Sequence, residues 1–405
     1  MCFHASKCIR LRARPELRGD FGQNVDCMKK ISPLVSAWVG HGNFGDELLS
    51  YGLRLELYQS CDMAAVSYYE KGSEAIYQAV DDVSILSLNA AGRSRWLRLC
   101  QHYLQSCAGY DCLFFGGGSV LHSSHSISWK QDLLRRFRRD RGNNASLTAA
   151  VGVSIGPFPD SKAERKALAF LAELDVVHCR DAASAEFAQQ LDDRVEVIGG
   201  RDLAFSVRAM RPEPFMVSKQ GGRVGASFIL SPKLGEAQQR EQFASMLAIL
   251  DHLTAVGYEV QLTALYCAEK YADDCLHRRL REAAKQPERI LLHDYQGDVQ
   301  TTAAQIASCS FYLSMRLHGL ITAYLSGTPF LALNRHPKVS EFCALALGDQ
   351  AESVQTGLDL PHPELLAQLD QALGQAAMQP SYNPQRDSCY AASSAALAAR
   401  LRALA

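Results

Sequence analysis

The fold class is decided by one stretch of the sequence, Phe311-Tyr-Leu-Ser-Met-Arg-Leu-His-Gly-Leu-Ile-Thr-Ala-Tyr-Leu-Ser-Gly-Thr-Pro-Phe-Leu-Ala-Leu333. It begins with a short apolar run at 311–314, continues with helical spacing over 317–325, and ends with a second apolar run at 330–333. Gly327 and Pro329 supply the turn between helix and second strand. This order of strand, helix and strand is typical of a unit with parallel strands.

The same alternation extends over most of the chain. Helical spacing is found between the apolar runs, for example at 46–59, 95–106, 163–174 and 235–255. The other predicted strands are 34–39, 64–68, 83–86, 112–115, 147–154, 175–179, 195–198, 224–230, 259–265 and 290–293. The sequence therefore predicts an α/β protein built on open sheets, whose loops at the carboxyl ends of the strands face a ligand cleft.

The alternation is interrupted once, over residues 206–222, where Pro212, Pro214, Gly221 and Gly222 punctuate a segment without clear periodicity. We place the domain boundary there. The predicted units are a disordered arm at 1–27, a first domain at 28–210, a second at 222–350, and a tail at 351–405 that ends in an alanine-rich helix.

Composition narrows the functional class. The 405 residues are 47% hydrophobic and 21% charged with a formal charge of −1, which gives no global field for binding nucleic acid. The most apolar long stretch is broken by charged and turn residues, and no apolar segment follows the basic amino-terminal arm, so we expect neither a membrane span nor a signal peptide. Thirteen scattered cysteines with no C-x-x-C pair indicate reduced thiols in a cytoplasmic protein.

Two glycine-rich segments follow predicted strands of the first domain. The first is Gly40-His41-Gly42-Asn43-Phe44-Gly45-Asp46-Glu47, which directly precedes a helix. Its glycines allow a ligand to approach closely, and the helix N-terminus favours an anion. Asp46 and Glu47 are equally well explained as acids that stabilise the helix dipole. The second is Phe114-Phe115-Gly116-Gly117-Gly118-Ser119, interpreted as a strand running into a tight turn. His122 and His125 come next, but no acid or cysteine accompanies them at ligand spacing, and we predict no metal.

Two further clusters carry positive charge. In His178-Cys179-Arg180-Asp181-x-x-Ser184, Arg180 could bind an anion, or it could pair with Asp181 or with a helix end, and the residues alone favour neither interpretation. The strongest cluster is Ser314-Met315-Arg316-Leu317-His318-Gly319, followed by Asn334-Arg335-His336-Pro337-Lys338-Val339. Arginine and lysine neutralise a small anion, and histidine transfers protons near neutral pH.

These motifs, taken in order from about residue 35 to 342, resemble the polysaccharide pyruvyl transferases. Leu203 departs from the pattern, since the family has proline there. The resembling segments are Gly42 to Glu47, Gly116 to Ser119, Arg180-Asp181-x-x-Ser184, Asp202-Leu203-Ala204-Phe205, Ser314 to His318 and Pro337-Lys338-Val339.

The resemblance implies two Rossmann-like domains facing a cleft, as in the GT-B glycosyltransferases, with the acceptor on the first domain and the donor on the second. It implies transfer of pyruvate from phosphoenolpyruvate to two hydroxyls of a saccharide, giving a cyclic ketal in cell-surface polysaccharide synthesis. A lipid-linked acceptor would bring the protein to the inner face of the membrane as a peripheral partner. The donor-binding positions implied by the family are Arg180, Arg316, Leu317 through its backbone, His318 and Lys338.

Catalytic roles follow from what the reaction needs. His318 is the candidate general acid, and Asp46 or Glu47 the candidate base for the acceptor hydroxyls. The other acceptor or loop residues are Asn43, Gly45, Gly117, Gly118 and Ser119. Phosphoenolpyruvate is a co-substrate, and no step calls for a cofactor. Two alternatives stay open: a nucleotide-sugar glycosyltransferase of the same architecture, and a saccharide-binding module without catalysis.

Overall fold

The computed structural model describes residues 31–60, 66–70, 84–87, 107–142, 144, 146–231, 233–267, 272–334, 336–383 and 389–403. Two predictions lie outside the described residues: the disordered arm at 1–27 and the helix at 95–106.

Strands and helices alternate along the described chain. The first seven strands are β1 (Pro33–Ser36), β2 (Ser67–Glu70), β3 (Ser84–Ser87), β4 (Cys112–Leu121), β5 (Leu147–Ile155), β6 (Val176–Cys179) and β7 (Glu196–Gly199). The next five are β8 (Gln220–Ser227), β9 (Glu259–Ala264), β10 (Ile290–Asp294), β11 (Cys309–Ser314) and β12 (Phe330–Ala332). The α-helices are α1 (Phe44–Ser60), α2 (Ser124–Arg141), α3 (Ser161–Leu171), α4 (Ala182–Ala188), α5 (Ala204–Met210), α6 (Glu236–Ala255), α7 (Asp273–Ala283), α8 (Val299–Ala307), α9 (Leu317–Leu325), α10 (Pro337–Leu347), α11 (His362–Gly374) and α12 (Cys389–Arg402).

The strands form two sheets with the same kind of order. The first sheet runs β3-β2-β1-β4-β5-β6-β7, and the second runs β10-β9-β8-β11-β12. Every pair of neighbouring strands is parallel. In each sheet the order reverses beside the first strand, between β1 and β4 and between β8 and β11. Such a reversal leaves a crevice at the carboxyl ends of the two strands, where open α/β proteins bind ligands.

One local prediction is wrong. The glycines Gly116 to Gly118 were expected to form a turn after the strand, but they lie inside β4. Gly116 pairs with Val151 and Gly118 with Val153 of β5, and the register shifts only between Gly118 and Leu121. The parallel ladder with β5 therefore carries the strand through the glycines.

Contacts divide the chain into two compact units. Unit 1 comprises Met1–His41, Asp46–Val207 and Ser388–Ala405, and unit 2 comprises Gly42–Gly45 and Arg208–Asp387. The sequence predicts one tail at residues 351–405, but these residues are divided between the two units. Helix α11 buries Leu365 and Leu369 in the unit 2 core, and Arg400 of α12 pairs with Glu196 of β7 in unit 1.

Both faces of the first sheet are buried, as is typical of parallel sheets. Adjacent residues of β4 show this, since Phe114 and Phe115 belong to separate apolar clusters. A single cluster in unit 2 joins its sheet to the helices α6, α7 and α11. Among the described residues, no helix combines the length and the apolar character needed to cross a lipid bilayer.

Candidate functional site

The strongest predicted cluster lies where β11 ends and α9 begins. Arg316 is the N-cap residue of α9, with extended backbone at φ −103° and ψ 130°. The Ser314 hydroxyl is buried and forms two hydrogen bonds with the Arg316 backbone, accepting from its N–H at 3.0 Å and donating to its carbonyl at 2.9 Å. A Cβ at Gly319 would lie 2.5 Å from the same hydroxyl oxygen, so this tight turn needs glycine there. The turn places Arg316, Leu317 and His318 at the carboxyl edge of the second sheet.

The Arg316 guanidinium is held by a carboxylate that the sequence analysis did not single out. Asp273 Oδ2 accepts from Nε at 2.6 Å and Oδ1 accepts from Nη2 at 2.5 Å. The Asp273 side chain is 1% exposed and that of Arg316 26% exposed. Asp273 Oδ2 also accepts from the backbone N–H groups of Leu265 and Tyr266, each at 3.1 Å. The carboxylate is thus fully engaged, while the Nη1 edge of the guanidinium makes no hydrogen bond to the residues that the structure describes.

The segment Gly42–Gly45 belongs to unit 2 because it pairs with the chain that follows β9. Phe44 N–H donates to the Leu265 carbonyl at 2.9 Å, and Cys267 N–H donates to the Gly42 carbonyl at 2.9 Å. Between these bonds, Asn43 and Tyr266 form an antiparallel bridge. The Phe44 ring is fully buried and lies edge-on to Tyr295, with ring centroids 5.7 Å apart. The segment Gly42–Gly45 is therefore hydrogen-bonded to the loop at 265–267, whose backbone also binds the Asp273 carboxylate.

Gly45 lies directly against His318. A Cβ at Gly45 would be 2.2 Å from Nδ1 and 2.8 Å from Cγ of that imidazole, distances that real Cβ atoms do not adopt. The Gly45 N–H is held by the Asn43 side chain, whose Oδ1 accepts at 3.1 Å. The glycine was predicted to allow a ligand to approach; within unit 2 the group that approaches is the His318 ring.

Lys338 lies in the first turn of α10, directly after the loop that connects β12 to this helix. Asn334 ties this loop to the end of β11, because its side-chain amide donates to the Met315 carbonyl and its Oδ1 accepts from His336 N–H at 3.0 Å. Burial and the Lys338 charge lower the pKa of His336. Lys338 is half-buried, as is Arg316. The structure thus brings Arg316, Leu317, His318 and Lys338 to one edge of the second sheet.

Arg180 lies in unit 1 and has a different environment. Its side chain is 6% exposed, with Nη1 3.2 Å from Asp202 Oδ2 and Nε 3.8 Å from Asp181 Oδ2. Nε also donates to the Ser154 hydroxyl at 2.6 Å. Asp181 caps α4 by accepting from Ser184 N–H at 2.8 Å. The motif residues Arg180, Asp181, Ser184 and Asp202 thus form one largely buried polar network at the carboxyl ends of β5 and β6.

The acceptor-side candidates are divided between the two units. Asn43 and Gly45 belong to unit 2, on the segment that pairs with the chain after β9. Asp46, Glu47, Gly117, Gly118 and Ser119 belong to unit 1 and lie at the carboxyl edge of the first sheet. A Cβ at Gly117 would be 2.7 Å from Leu49 Cβ, and one at Gly118, which has φ +91°, would be 3.2 Å from Asp46 Oδ1. The glycines of β4 therefore let α1 pack closely and place Asp46 beside the strand. Asp46 is half-buried, whereas Glu47 is 4% exposed. The Ser119 carbonyl lies 2.6 Å from Nδ1 of the exposed His122.

One protein family matches most of this chain. Residues 43–337 match the family described as "Polysaccharide pyruvyl transferase", a span that includes Arg180, Arg316 and His318 and covers most of the chain. The chain belongs to the polysaccharide pyruvyl transferase family. A comparison with curated proteins finds no match. Membership of this family of transferases implies a saccharide acceptor.

Solved structures similar to this family member are GT-B enzymes. UDP-GlcNAc 2-epimerase from Methanocaldococcus jannaschii gives a TM-score of 0.59 at 8% identity, covering 91% of this chain and 99% of the other. The Neisseria meningitidis UDP-GlcNAc 2-epimerase bound to UDP-GlcNAc gives 0.55 at 10% identity, covering 92% and 99%. UGT73P12 of Glycyrrhiza uralensis, complexed with glycyrrhetinic acid 3-O-monoglucuronide, gives 0.54 at 7% identity, covering 93% and 96%. At such low identity these similarities establish the GT-B fold and nothing finer.

Proposed function

We propose that this protein transfers pyruvate from phosphoenolpyruvate to two hydroxyls of a saccharide, forming a cyclic ketal during synthesis of a cell-envelope polysaccharide. The observation that carries the proposal is the arrangement in unit 2. There the imidazole of His318 packs on Gly45, next to an arginine that Asp273 orients through two hydrogen bonds. In the proposed reaction His318 would be the proton donor, and Arg316 would be one of the groups that bind the donor anion.

The donor would bind where several positive groups meet. Arg316 offers its Nη1 edge, Lys338 offers an ammonium group, and the first turn of α9 offers the backbone N–H groups of Leu317 and His318. The positive end of the helix dipole favours anions at these first-turn N–H groups. Phosphoenolpyruvate carries a phosphate and a carboxylate on three carbons, so it suits such a compact set of donors.

His318 would start the reaction by giving a proton to the methylene carbon of the enol, which becomes a methyl group. The neighbouring carbon then accepts electrons from the first sugar hydroxyl, and that oxygen loses its proton to a base. Inorganic phosphate leaves with its C–O electron pair, and the second hydroxyl closes the ketal. Of the two hydroxyl protons, one replaces the proton taken from His318 and the other leaves with phosphate, so the enzyme is regenerated.

On the acceptor side, Asp46 is the better candidate for the base. Its carboxylate is half-buried beside Gly118 at the edge of the first sheet, whereas Glu47 is almost fully buried. A general base has to reach the hydroxyl that it deprotonates, directly or through one water. Arg180 as a donor ligand stays a prediction, and its pairing with Asp181 and Asp202 favours a structural role.

The scheme uses phosphoenolpyruvate as co-substrate and involves neither a metal nor a nucleotide. Since that metabolite is cytoplasmic, the proposed reaction is cytoplasmic too. A lipid-linked saccharide would be reached at the inner face of the membrane.

The test is to incubate the purified protein with phosphoenolpyruvate and a panel of methyl glycopyranosides, oligosaccharides and lipid-linked sugars. We expect phosphate release that depends on one acceptor, together with the mass gain of a pyruvate ketal on that acceptor. A parallel panel of nucleotide sugars serves as the comparison. Release of a nucleotide from that panel, with no pyruvate transfer to any acceptor, would replace the proposal by a glycosyltransferase activity; saccharide binding without either reaction would indicate a binding module.

A further inference from the structure

Trp38 is a large aromatic residue that the proposed chemistry does not use. It follows β1 by two residues and is 46% exposed, although the strand before it is buried throughout. Its indole N–H makes no hydrogen bond to any residue that the structure describes. Tryptophan combines a large apolar ring with one polar N–H group, a combination that binding surfaces use when the ring is exposed.

The indole is held in place. Its ring stacks on His41 with centroids 3.8 Å apart and planes 14° from parallel. The Val39 N–H donates to the Ala37 carbonyl at 3.1 Å, which makes Trp38 the central residue of a three-residue turn. Gly40 and Gly42, the neighbours of His41 on either side, have φ angles of 79° and 60°, values that side chains disfavour. The exposed face is therefore preorganised.

Trp38 and His41 lie at the position in the first sheet where open α/β proteins bind ligands. β1 is the strand beside which the order of the first sheet reverses, and its neighbour across the reversal is β4. A Cβ at Gly116 of β4 would lie 3.3 Å from Ala37 Cβ, so the residue before Trp38 packs against the glycine strand. Two residues further along β4, Gly118 adjoins the Asp46 carboxylate. Trp38, His41 and Asp46 thus share the edge of unit 1 where a ligand is expected.

We propose that the indole face of Trp38, backed by His41, binds the acceptor by stacking against the apolar C–H face of a pyranose ring. This inference rests on the proposed function, since it concerns the saccharide of that reaction. Axial and ring hydrogens of a pyranose carry partial positive charge, and the face of an indole is negative, so the two attract as they exclude water. The indole N–H can donate to a hydroxyl at the rim of the ring. Stacking leaves the hydroxyls free to react.

The test measures saccharide binding and turnover separately. Saturation-transfer NMR with the methyl α- and β-glycopyranosides of galactose, glucose, mannose and their N-acetyl derivatives, recorded with and without phosphoenolpyruvate, reports binding without requiring catalysis. The variants are Trp38→Ala and the conservative Trp38→Phe. Tyr58→Ala is the matched control, because Tyr58 is an aromatic of unit 1 with 45% exposure at the far end of α1.

We expect the alanine variant to weaken binding of the recognised glycoside, and to raise the KM for the acceptor, by roughly three- to tenfold. The Trp38→Phe variant should keep most of the affinity for the glycoside. The KM for phosphoenolpyruvate should not change in either variant. Unchanged acceptor affinity in a folded Trp38→Ala protein, or no binding of any glycoside to the unaltered protein, would overturn the platform.

The two proposals fail in different ways. A glycoside that binds through Trp38 but receives no pyruvate supports the platform and contradicts the proposed reaction. Pyruvate transfer with the same acceptor KM in both proteins supports the reaction and contradicts the platform.

Discussion

Asp273 accepts two hydrogen bonds from Arg316, a residue 43 positions further along the chain, and it accepts them on both carboxylate oxygens. The same carboxylate accepts the backbone N–H groups of Leu265 and Tyr266, and that loop pairs with Gly42–Gly45. One buried acid therefore orients the candidate donor-binding arginine and also supports the segment on which His318 packs. Asp273 acts as a positioning residue, since it reaches the proposed donor only through other groups.

The first prediction concerns Asp273→Asn. An amide offers only one acceptor atom, so the two-point contact with Arg316 is lost and the guanidinium can rotate. We expect the KM for phosphoenolpyruvate to rise at least about tenfold, with Tm lowered because two backbone donors lose part of their partner. Asp274→Asn is the control, because Asp274 is the next residue of α7 and pairs instead with Arg278. An unchanged donor KM in a folded Asp273→Asn protein would contradict the positioning role.

A second prediction uses Gly45→Ala. The added methyl group would overlap Nδ1 of His318, so the ring has to move. Displacement of a catalytic group by about 1 Å is enough to lower kcat by roughly 100-fold. Steady-state kinetics should therefore show a fall in kcat with the protein still folded. Gly374→Ala, at an exposed position with no atom within 4 Å, should leave kcat unchanged; equal kcat in both variants would show that His318 tolerates the shift.

The third prediction separates proton transfer from binding. Replacing His318 by glutamine should lower turnover by roughly 10²–10⁴-fold, the contribution of a positioned acid, while phosphoenolpyruvate still binds. Arg316→Ala should raise KM more than it lowers kcat, because the donor anion is bound in both ground and transition states. Calorimetric binding of phosphoenolpyruvate and kcat measurements on each variant distinguish the roles, with the exposed His362→Gln as control. Full turnover by a stable His318→Gln protein would end the general-acid assignment.

A fourth prediction concerns Arg180. If its role is structural, Arg180→Ala leaves Asp181 and Asp202 without a buried cation and lowers the free energy of unfolding by about 3–5 kcal/mol. Adding Asp202→Asn should recover part of that loss, since one uncompensated charge is removed. Urea unfolding measures both. A stable Arg180→Ala protein whose KM for phosphoenolpyruvate is raised would instead identify Arg180 as a donor ligand.

The fifth prediction is a pH dependence of stability. Burial lowers the pKa of His178 from 6.5 to about 4, while its Nδ1 accepts from Gly152 N–H at 3.0 Å. Between pH 6.5 and 4 the unfolded chain binds a proton that the folded protein refuses, so the free energy of unfolding falls as the pH is lowered. This difference in pKa lowers the free energy of unfolding by about 3 kcal/mol once the pH has fallen to 4, and it has no effect above pH 6.5.

His178→Asn tests this dependence, because the amide oxygen can accept the same N–H group without titrating. We expect its stability to decline less steeply through that pH window. Part of the slope should persist, since burial also lowers the pKa of His277. Parallel slopes for the two proteins would show that His178 is not responsible.

Much of the architecture could be predicted from local sequence because parallel strands buried on both faces leave unbroken apolar runs. Helix α9 has the predicted bounds, and the strands on either side of it are found where expected. The glycines of β4 were misjudged because a strand and a turn both accept glycine. Only the neighbouring β5, and the approach of Leu49, decide between them.

The site was predictable to a lesser degree. Arg316, His318 and Lys338 follow strands, so their shared edge could be inferred from topology. Asp273 could not be found, since two acids at the start of a helix ordinarily indicate only a favourable helix dipole, and its partner is distant in sequence. Of the partners of Arg180, Asp181 could be predicted because it is the next residue, whereas Ser154 and Asp202 meet Arg180 only in the folded sheet.

The shared strand order of the two sheets has a consequence for engineering. The candidate acceptor residues Trp38 and Asp46 follow β1 of the seven-stranded sheet, and Arg316 and His318 follow β11 of the five-stranded one. Loop sequences on one sheet can therefore be exchanged without altering the hydrogen-bonded ladder of the other. Grafting residues 37–41 from another family member, with Gly42–Gly45 and its contact with His318 kept, should redirect the proposed reaction to a different sugar and leave its preference for the pyruvate source unchanged.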